Sequence, residues 1–377
     1  MTSKKESHDP ALENLIEISR YYGNNNEYVI AGGGNTSFKN NDKLWIKASG
    51  ISLADIDIDG FVCLSRNKLK TIQSKSYSQN SSIRENQVKE DLNKAIISPA
   101  NKRPSVETSL HEIIDFPFVI HTHPTLVNAL MCSKKAKRSA KKLFGKKVLY
   151  VEYTDPGYVL FKKVETELTR YRDSFGNEPS VIFLQNHGII VSGSTTGEIK
   201  EIYADIEKEL HTAVERQLPD NKRHPSEEYA KGIQKNISAQ LGIEPSCVLF
   251  RNNGLIQYFV ENGKQFEKID KPFTPDDIVY CKSNYLFTTS AVSDIKNEAE
   301  GFSKRHGHLP KIMAVQGKGL ISIGAYEKSA RIAMDVFENM MKVSYYSDSF
   351  GGPQFMTPEQ INFIDNWEVE HYRRKVT

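Results

Sequence analysis

Two segments of the chain, 131 positions apart, share a fifteen-residue pattern that constrains the fold more than any other feature. Pro179 to Gly193 aligns with Pro310 to Gly324, and proline, glutamine and glycine recur in register. Each copy has the pattern of two short strands joined by a turn and followed by a helix. We interpret the second copy as a degenerate repeat of the first, although a chance likeness in composition would give the same match. Asn186-His187 becomes Gly317-Lys318 in the second copy, so a potential metal ligand is lost.

The length of the chain predicts two domains, because 377 residues divide into domains of roughly 150 residues each. The segment Gln217 to Ser226, which contains two prolines and a cluster of charges, is the best candidate for their boundary. We therefore predict an α/β metal-binding domain at residues 1–218. A second α/β domain without metal ligands is predicted at residues 219–377.

Composition excludes several classes of protein. With 50 Lys and Arg against 47 Asp and Glu, the net charge of +3 excludes a strongly basic nucleic-acid binder. Eight Lys and Arg between Ser133 and Lys147 could form an anion patch, but a solvated helix and turn is the simpler interpretation. The sequence has no apolar run of transmembrane length and no signal peptide, and its four cysteines are scattered. We expect a reduced, cytoplasmic protein without nucleic-acid or membrane partners.

Local patterns predict the elements around the motifs of interest. Asp9-Pro10 is typical of a helix start, and the following apolar spacing predicts a helix to about residue 22. Short apolar runs predict strands at Tyr28–Ala31, Phe118–His123 and Val181–Leu184. The polar segment after residue 66 is predicted to contain a helix near residues 83–96.

Three histidines form a candidate metal site. His121 and His123 lie at the end of an apolar strand and, because strand side chains alternate, they point to the same face. His187 ends another apolar strand and precedes Gly188, which permits a sharp turn. Three imidazoles from two strand ends are typical of a catalytic divalent-metal site, most often zinc. The alternative is a pair of structural histidines bonded to the backbone. The second His-x-His, at His306, lies in a polar stretch and is interpreted as a surface turn.

Other residues near these strands can move protons or bind anions. Glu107 begins a predicted helix. Its carboxylate could either stabilise the helix by its interaction with the helix dipole or lie beside the metal and transfer protons. His111, four residues later, is interpreted as a core or supporting residue. The glycine-rich turn at Gly32-Gly33-Gly34 could bind a phosphate through backbone N–H groups, although a strand follows it, unlike the dinucleotide-binding fingerprint.

Taken together, these motifs resemble the class II aldolase/adducin family, which comprises metal-dependent sugar-phosphate aldolases and epimerases. The matching segments are Gly33-Gly34-Asn35-Thr36-Ser37, Lys47-Ala48-Ser49-Gly50, Arg103-Pro104-Ser105-Val106-Glu107, His121-Thr122-His123-Pro124 and Asn186-His187-Gly188. The closer resemblance is to the aldolase-like portion of bifunctional rhamnulose-1-phosphate aldolase/alcohol dehydrogenase proteins, partly through the Trp367-Glu368-Val369-Glu370 motif. A dehydrogenase domain follows in those relatives. This chain stops at Thr377, so we do not expect that second activity.

The resemblance implies a role for each motif. His121, His123 and His187 would hold one Zn²⁺ per chain. Glu107 would be the acid/base, and a fourth metal ligand when the substrate site is empty. The substrate phosphate would lie against Gly34, Asn35, Ser49, Gly50 and Ser105. Tyr153 corresponds to a tyrosine that, in some family aldolases, reaches a neighbouring subunit and protonates the departing aldehyde. The implied fold has three layers, α/β/α, around a largely antiparallel sheet, and the implied assembly is a homo-oligomer.

The resemblance implies three functions in decreasing order of preference. The first is zinc-dependent cleavage of a ketose 1-phosphate to dihydroxyacetone phosphate and a short aldehyde. The second is a sugar-phosphate 4-epimerase or dehydratase on the same metal site. The third is a non-catalytic, adducin-like binding module, which the retained histidines and Glu107 disfavour. A separately encoded dehydrogenase is a possible partner.

Overall fold

The computed structural model describes residues 9–219 and 225–367, which form two units. Unit 1 contains residues up to Met131, residues 136–212 and Trp367, whereas unit 2 contains residues 132–135 and 213–366. The main division therefore falls after Thr212, six residues before the predicted boundary at 218/219. The motif residues that follow Trp367 lie outside the described residues. No described helix is both long enough and apolar enough to cross a membrane.

Unit 1 is built on an eight-stranded sheet. Its strands are β1 (Asn35–Lys39), β2 (Lys43–Lys47), β3 (Phe61–Ser65), β4 (Ile96–Ser98), β5 (Phe118–Thr122), β6 (Leu149–Val151), β7 (Val181–Leu184) and β8 (Gly188–Gly193). Its helices are α1 (Pro10–Gly23), α2 (Arg66–Ser74), α3 (Ser81–Ala95), α4 (Thr108–Ile113), α5 (Thr125–Met131), α6 (Ala136–Phe144), α7 (Tyr158–Phe175) and α8 (Thr196–Ala213). The strand order is β4-β3-β2-β1-β5-β8-β7-β6, and every neighbouring pair is antiparallel except β6 and β7.

The side chains of β5 show that helices cover both faces of this sheet. Val119 packs in a buried cluster with Leu110 of α4 and Leu160 of α7. Thr122, which has the opposite parity, shares a 2.6 Å hydrogen bond with Tyr203 of α8. Because alternate residues of a strand point to opposite faces, α4 and α7 lie on one face and α8 on the other. The predicted three-layer α/β/α arrangement around a largely antiparallel sheet is confirmed.

One predicted strand of unit 1 is wrong. Residues Tyr28–Ala31 form a turn, in which the N–H groups of Tyr28 and Val29 both donate to the carbonyl of Asn25. Tyr28 and Val29 are buried, so the apolar run fills the core without being extended. The carbonyl of Tyr28 accepts a 3.0 Å bond from the N–H of His123, so the turn supports the end of β5. The predicted first helix is confirmed, since Asp9 caps α1 and Pro10 is its first residue.

Unit 2 contains a smaller sheet covered by helices. Its strands are β9 (Val248–Arg251), β10 (Leu286–Thr288), β11 (Ile312–Val315) and β12 (Gly319–Ile323). Its helices are α9 (Glu227–Leu241), α10 (Gly254–Val260), α11 (Gly263–Phe266), α12 (Pro275–Cys281), α13 (Ile295–His306), α14 (Glu327–Ser347) and α15 (Pro358–Asn366). In the order β10-β11-β12-β9, the first pair is parallel and the other two are antiparallel. This order and these directions match β6-β7-β8-β5 of unit 1.

The match extends to single residues, which supports the interpretation of a degenerate second copy. Phe250 of β9 pairs with Ile321, as His121 of β5 pairs with Ile190. The turns that follow β7 and β11 both contain a residue with positive φ, +52° at Asn186 and +65° at Gly317. In this alignment, Phe250, Asn252 and Lys318 occupy the positions of His121, His123 and His187.

Candidate metal centre and active site

Two neighbouring strands bring the three predicted histidines of unit 1 together. His121 is in β5, His123 follows it, and His187 is in the turn between β7 and β8. The Nε2 atoms of His121 and His123 are 3.0 Å apart, and the ring centroids of His121 and His187 are 4.9 Å apart. One nitrogen from each of the three rings lies within 4.8 Å of the others. His121 is buried, whereas His123 and His187 are partly exposed, so the cluster is open on one side.

Glycines allow the backbones to approach around this cluster. A Cβ atom on Gly188 would lie 2.5 Å from the carbonyl oxygen of Thr122 and 2.7 Å from the ring of His123. Gly34 has φ of +63°, and a Cβ atom there would lie 2.7 Å from the carbonyl oxygen of His121. Any larger residue at either position would push a strand away from the histidines.

The histidines fit a divalent metal ion by their spacing and by their hydrogen bonding. Nδ1 of His121 lies 2.9 Å from the carbonyl oxygen of Ile189, to which it can only donate, so the lone pair of this ring is on Nε2. Two nitrogens bound tetrahedrally to zinc at about 2.0–2.1 Å are about 3.3 Å apart. The 3.0 Å separation of the Nε2 atoms of His121 and His123 is close to that value.

Glu107 faces this cluster. Its Oε2 lies 3.5 Å from Nε2 of His121, and its Oε1 lies 3.6 Å from Nε2 of His187. Nδ2 of Asn35 donates a 2.6 Å hydrogen bond to Oε2. Burial opposes ionisation of Glu107, but His121, His187 and the bond from Asn35 lower its pKa to about 2. Glu107 is the N-cap residue of α4, but its side chain makes no capping bond, so the carboxylate faces the histidines instead of the helix end.

Three chain segments converge on the predicted anion pocket beside Asn35. The N–H of Ser49 donates to the carbonyl of Arg103, and the N–H of Ser105 donates to the carbonyl of Lys47. Ser105 lies just before α4, and its hydroxyl accepts a 3.3 Å bond from the N–H of Glu107. Ser49 and Gly50 are partly exposed, so a ligand can reach them from the open side.

Lys47 was predicted only as part of the Lys47-Ala48-Ser49-Gly50 motif, without a role of its own. Its buried Nζ donates to the carbonyl of Ile51 at 2.6 Å and to that of Gly32 at 3.3 Å. The ammonium group therefore joins the two glycine-containing loops and adds positive charge where the implied phosphate would bind. A lysine directly after the apolar run Leu44-Trp45-Ile46 was the available signal, since lysine is rarely buried without a partner.

Tyr153 lies in the loop after β6. Its hydroxyl donates a 3.3 Å bond to Asp155, and its N–H donates to Oε1 of Gln185, two residues before His187. None of its described hydrogen bonds reaches the histidine cluster. Its predicted role in protonating an aldehyde stays a prediction. His306 and His308 are at the exposed end of α13, where Nδ1 of His308 bonds to the backbone of Leu309, in line with a surface turn.

Comparison with known proteins assigns the family. The class II aldolase and adducin N-terminal domain matches residues 13–214, more than half of the chain. The uncharacterized oxidoreductase YuxG of Bacillus subtilis is 20% identical over 96% of this chain, which spans 58% of that protein. L-fuculose phosphate aldolase of Methanocaldococcus jannaschii is 28% identical over 44% of this chain and 76% of that protein. The N-terminal class II aldolase domain of a conserved Thermoplasma acidophilum protein is 25% identical over 53% of this chain and 92% of its own, with a TM-score of 0.45. The chain belongs to the class II aldolase and adducin N-terminal domain family.

Proposed function

We propose that the chain is a zinc-dependent aldehyde-lyase that cleaves a ketose 1-phosphate to dihydroxyacetone phosphate and a short aldehyde. The observation that supports this most is the position of the Glu107 carboxylate, 3.5 and 3.6 Å from two of three clustered imidazoles. Family membership and the similarity to an L-fuculose phosphate aldolase support the same reaction class. A binding module without chemistry would not need a buried carboxylate held against metal ligands.

The cleavage requires two proton movements. One proton leaves the hydroxyl group on the carbon that becomes the aldehyde, and the electron pair of the broken C–C bond stays with the phosphate-bearing fragment. One proton must then reach the carbon that holds this pair. Glu107 can do both in turn, ending ionised as it began, and the bond from Asn35 fixes the direction of its carboxylate. A divalent ion held by His121, His123 and His187 would supply Lewis-acid stabilisation of the negative charge that develops on the substrate oxygens.

The anion pocket would orient the substrate from its other end. Lys47 supplies a positive charge between the glycine-containing loops, and Ser49 and Ser105 would supply hydroxyl groups. A phosphate held there is remote from the bond that breaks, so its binding energy can be used to hold the reacting carbons beside Glu107.

The decisive experiment is to incubate the zinc-loaded protein with a panel of ketose 1-phosphates and measure dihydroxyacetone phosphate. Formation of this product from one or more of the sugars is expected. A product with unchanged carbon number would identify an epimerase, and loss of water would identify a dehydratase. A protein that binds zinc and converts none of these substrates would contradict the proposed function.

A further inference from the structure

The face of β1 that points toward α4 carries three polar residues in alternation. Asn35, Ser37 and Lys39 are all at most 7% exposed, and they point the same way because strand residues alternate. Each contacts the segment that begins at Glu107. Asn35 bonds to the carboxylate of Glu107, Ser37 bonds to the imidazole of His111, and Nζ of Lys39 donates to the carbonyl of His111 at 2.7 Å.

His111 is a polar residue at a position that is fully buried. The side chain is fully buried, and its Nδ1 lies 2.7 Å from the hydroxyl oxygen of Ser37. Its Nε2 has no hydrogen-bond partner among the described residues. A buried polar atom without a partner is unfavourable, and an apolar side chain would fill the same space without that cost. The bond to Ser37 is therefore the specific contribution of this imidazole.

The hydrogen bonds of His111 decide between two roles. Its Nδ1 bonds to Ser37, and its Nε2 has no hydrogen-bond partner among the described residues. No described hydrogen bond joins the ring to the carboxylate of Glu107, as a relay of protons between the two side chains would require. The role that the geometry supports is the bond to Ser37, which fixes the position of the ring.

Helix α4 needs such a support. It has only six residues, from Thr108 to Ile113, and a helix of this length is not stable by itself in water. The N–H of His111 bonds to the carbonyl of Glu107, so the two residues are separated by one helical turn. A rotation of α4 that releases His111 would carry the carboxylate of Glu107 away from the histidines.

We infer that Ser37 and His111 are positioning residues, which hold α4 so that the carboxylate of Glu107 faces the histidine cluster. The inference rests on the proposed function for its kinetic consequence. Misplacement of a catalytic group by about 1 Å can cost about 100-fold in rate. We therefore expect Ser37→Ala and His111→Leu to lower kcat by about 10- to 100-fold, with KM and zinc content within twofold of wild type.

A second measurement, of hydrogen exchange, reports proton transfer by Glu107 without the cleavage step. Incubation of dihydroxyacetone phosphate with the zinc-loaded protein in D₂O should replace one hydrogen of its hydroxymethyl carbon by deuterium, which proton NMR detects. Glu107 takes the proton and returns a deuteron, so the rate reports its position. His111→Leu should slow this exchange, and His111→Asn, whose Oδ1 can accept the bond from Ser37, should restore most of it.

Ser19→Ala is the matched control. Ser19 is buried, and its hydroxyl bonds to that of Thr36 at 2.7 Å, on the opposite face of β1 from Glu107. Its loss should lower the melting temperature while kcat and exchange stay near wild type. Combination with Glu107→Gln adds a further test, because Ser37→Ala should have no additional kinetic effect once Glu107 is replaced.

The outcomes separate this inference from the proposed function. Equal losses in Ser37→Ala and Ser19→Ala, or an unchanged kcat in His111→Leu, would overturn the inference and leave only a packing role. If the wild-type protein neither cleaves nor exchanges, the proposed function fails. Crystal structures then decide the inference, because the 2.6 Å contact between Asn35 and Glu107 should be lost in His111→Leu and kept in His111→Asn. A retained contact in His111→Leu would overturn it.

Discussion

Replacement of Glu107 by glutamine separates acid/base chemistry from every other role of this side chain. Glutamine has nearly the same size and removes one negative charge from a site where two imidazole nitrogens are 3.5 and 3.6 Å away. Its carbonyl oxygen can still accept the bond from Nδ2 of Asn35. The side chain can therefore stay in place, while its capacity to take a proton is lost.

The expected effect follows from that difference. Proton transfer by a positioned side chain typically contributes about 10²–10⁴-fold in rate, so kcat of Glu107→Gln should fall by that factor. KM should change little, since the proposed phosphate contacts at Ser49 and Ser105 are untouched. Zinc should stay bound, because the three histidines that would hold it are unchanged. If Glu107 had only a role at the start of its helix, the substitution would cost about 1 kcal/mol or less and leave kcat intact.

The assay is steady-state turnover of the zinc-loaded variant, measured together with its melting temperature and its metal content. Glu198→Gln is the matched control. Glu198 lies in the first turn of α8, on the other face of the sheet, where its carboxylate accepts a 2.8 Å bond from the N–H of Ser194, and the variant should lose stability without losing kcat. Normal turnover of Glu107→Gln, or an equal loss in both variants, would refute the reasoning.

Three further predictions test other parts of the site. His121→Ala should abolish stoichiometric zinc binding measured by mass spectrometry while replacement of the exposed His306 by alanine keeps it, and equal zinc in both variants would contradict a metal centre at His121. Lys47→Met should weaken phosphate or sulfate binding at least about tenfold in calorimetry, because it removes a charge and the donor that bonds to the carbonyls of Gly32 and Ile51; unchanged affinity would place the anion pocket elsewhere. In the metal-free protein, the pKa of Glu107 is about 2 rather than 4.5, so its contribution to the free energy of unfolding is complete above pH 4.5 and is lost as the pH falls toward 2. We expect urea denaturation to show a loss of about 3 kcal/mol in the free energy of unfolding of the wild type and no such loss in Glu107→Gln. Parallel pH profiles of the two proteins would contradict this prediction.

The parts of the site that sequence could predict are those set by local geometry. Strand alternation alone places His121 and His123 on one face, and their Nε2 atoms are 3.0 Å apart in the structure. The turn at His187 was predictable for the same reason, because a glycine follows an apolar strand end. The predicted three layers follow from the family that the combined motifs resemble, and not from any single local pattern.

Contacts between distant segments could not be predicted in this way. The bond between Asn35 and Glu107 joins residues 72 positions apart, and that between Ser37 and His111 joins residues 74 positions apart. Both depend on the pairing of β1 with β5, which no local pattern reveals. The error at Tyr28–Ala31 has a related cause, because burial of an apolar run does not require an extended backbone when its polar groups are bonded in a turn.

Comparison of unit 1 with the degenerate second copy separates the strands that carry the three histidines from the elements that add Asn35 and Glu107 to them. The repeated strands β5, β7 and β8 supply all three histidines, and their equivalents in unit 2 have Phe250, Asn252 and Lys318 instead. In unit 1, β5 also pairs with β1, which brings Asn35 and, through α4, Glu107 to the cluster. In the described part of unit 2, β9 is the last strand of its sheet, and nothing there corresponds to β1. Restoring three histidines to unit 2 would therefore recreate ligands without a base or an anion pocket. Catalysis in our proposal depends on the junction of the two halves of the eight-stranded sheet, where the metal ligands of one half meet the carboxylate and glycine-containing loops of the other.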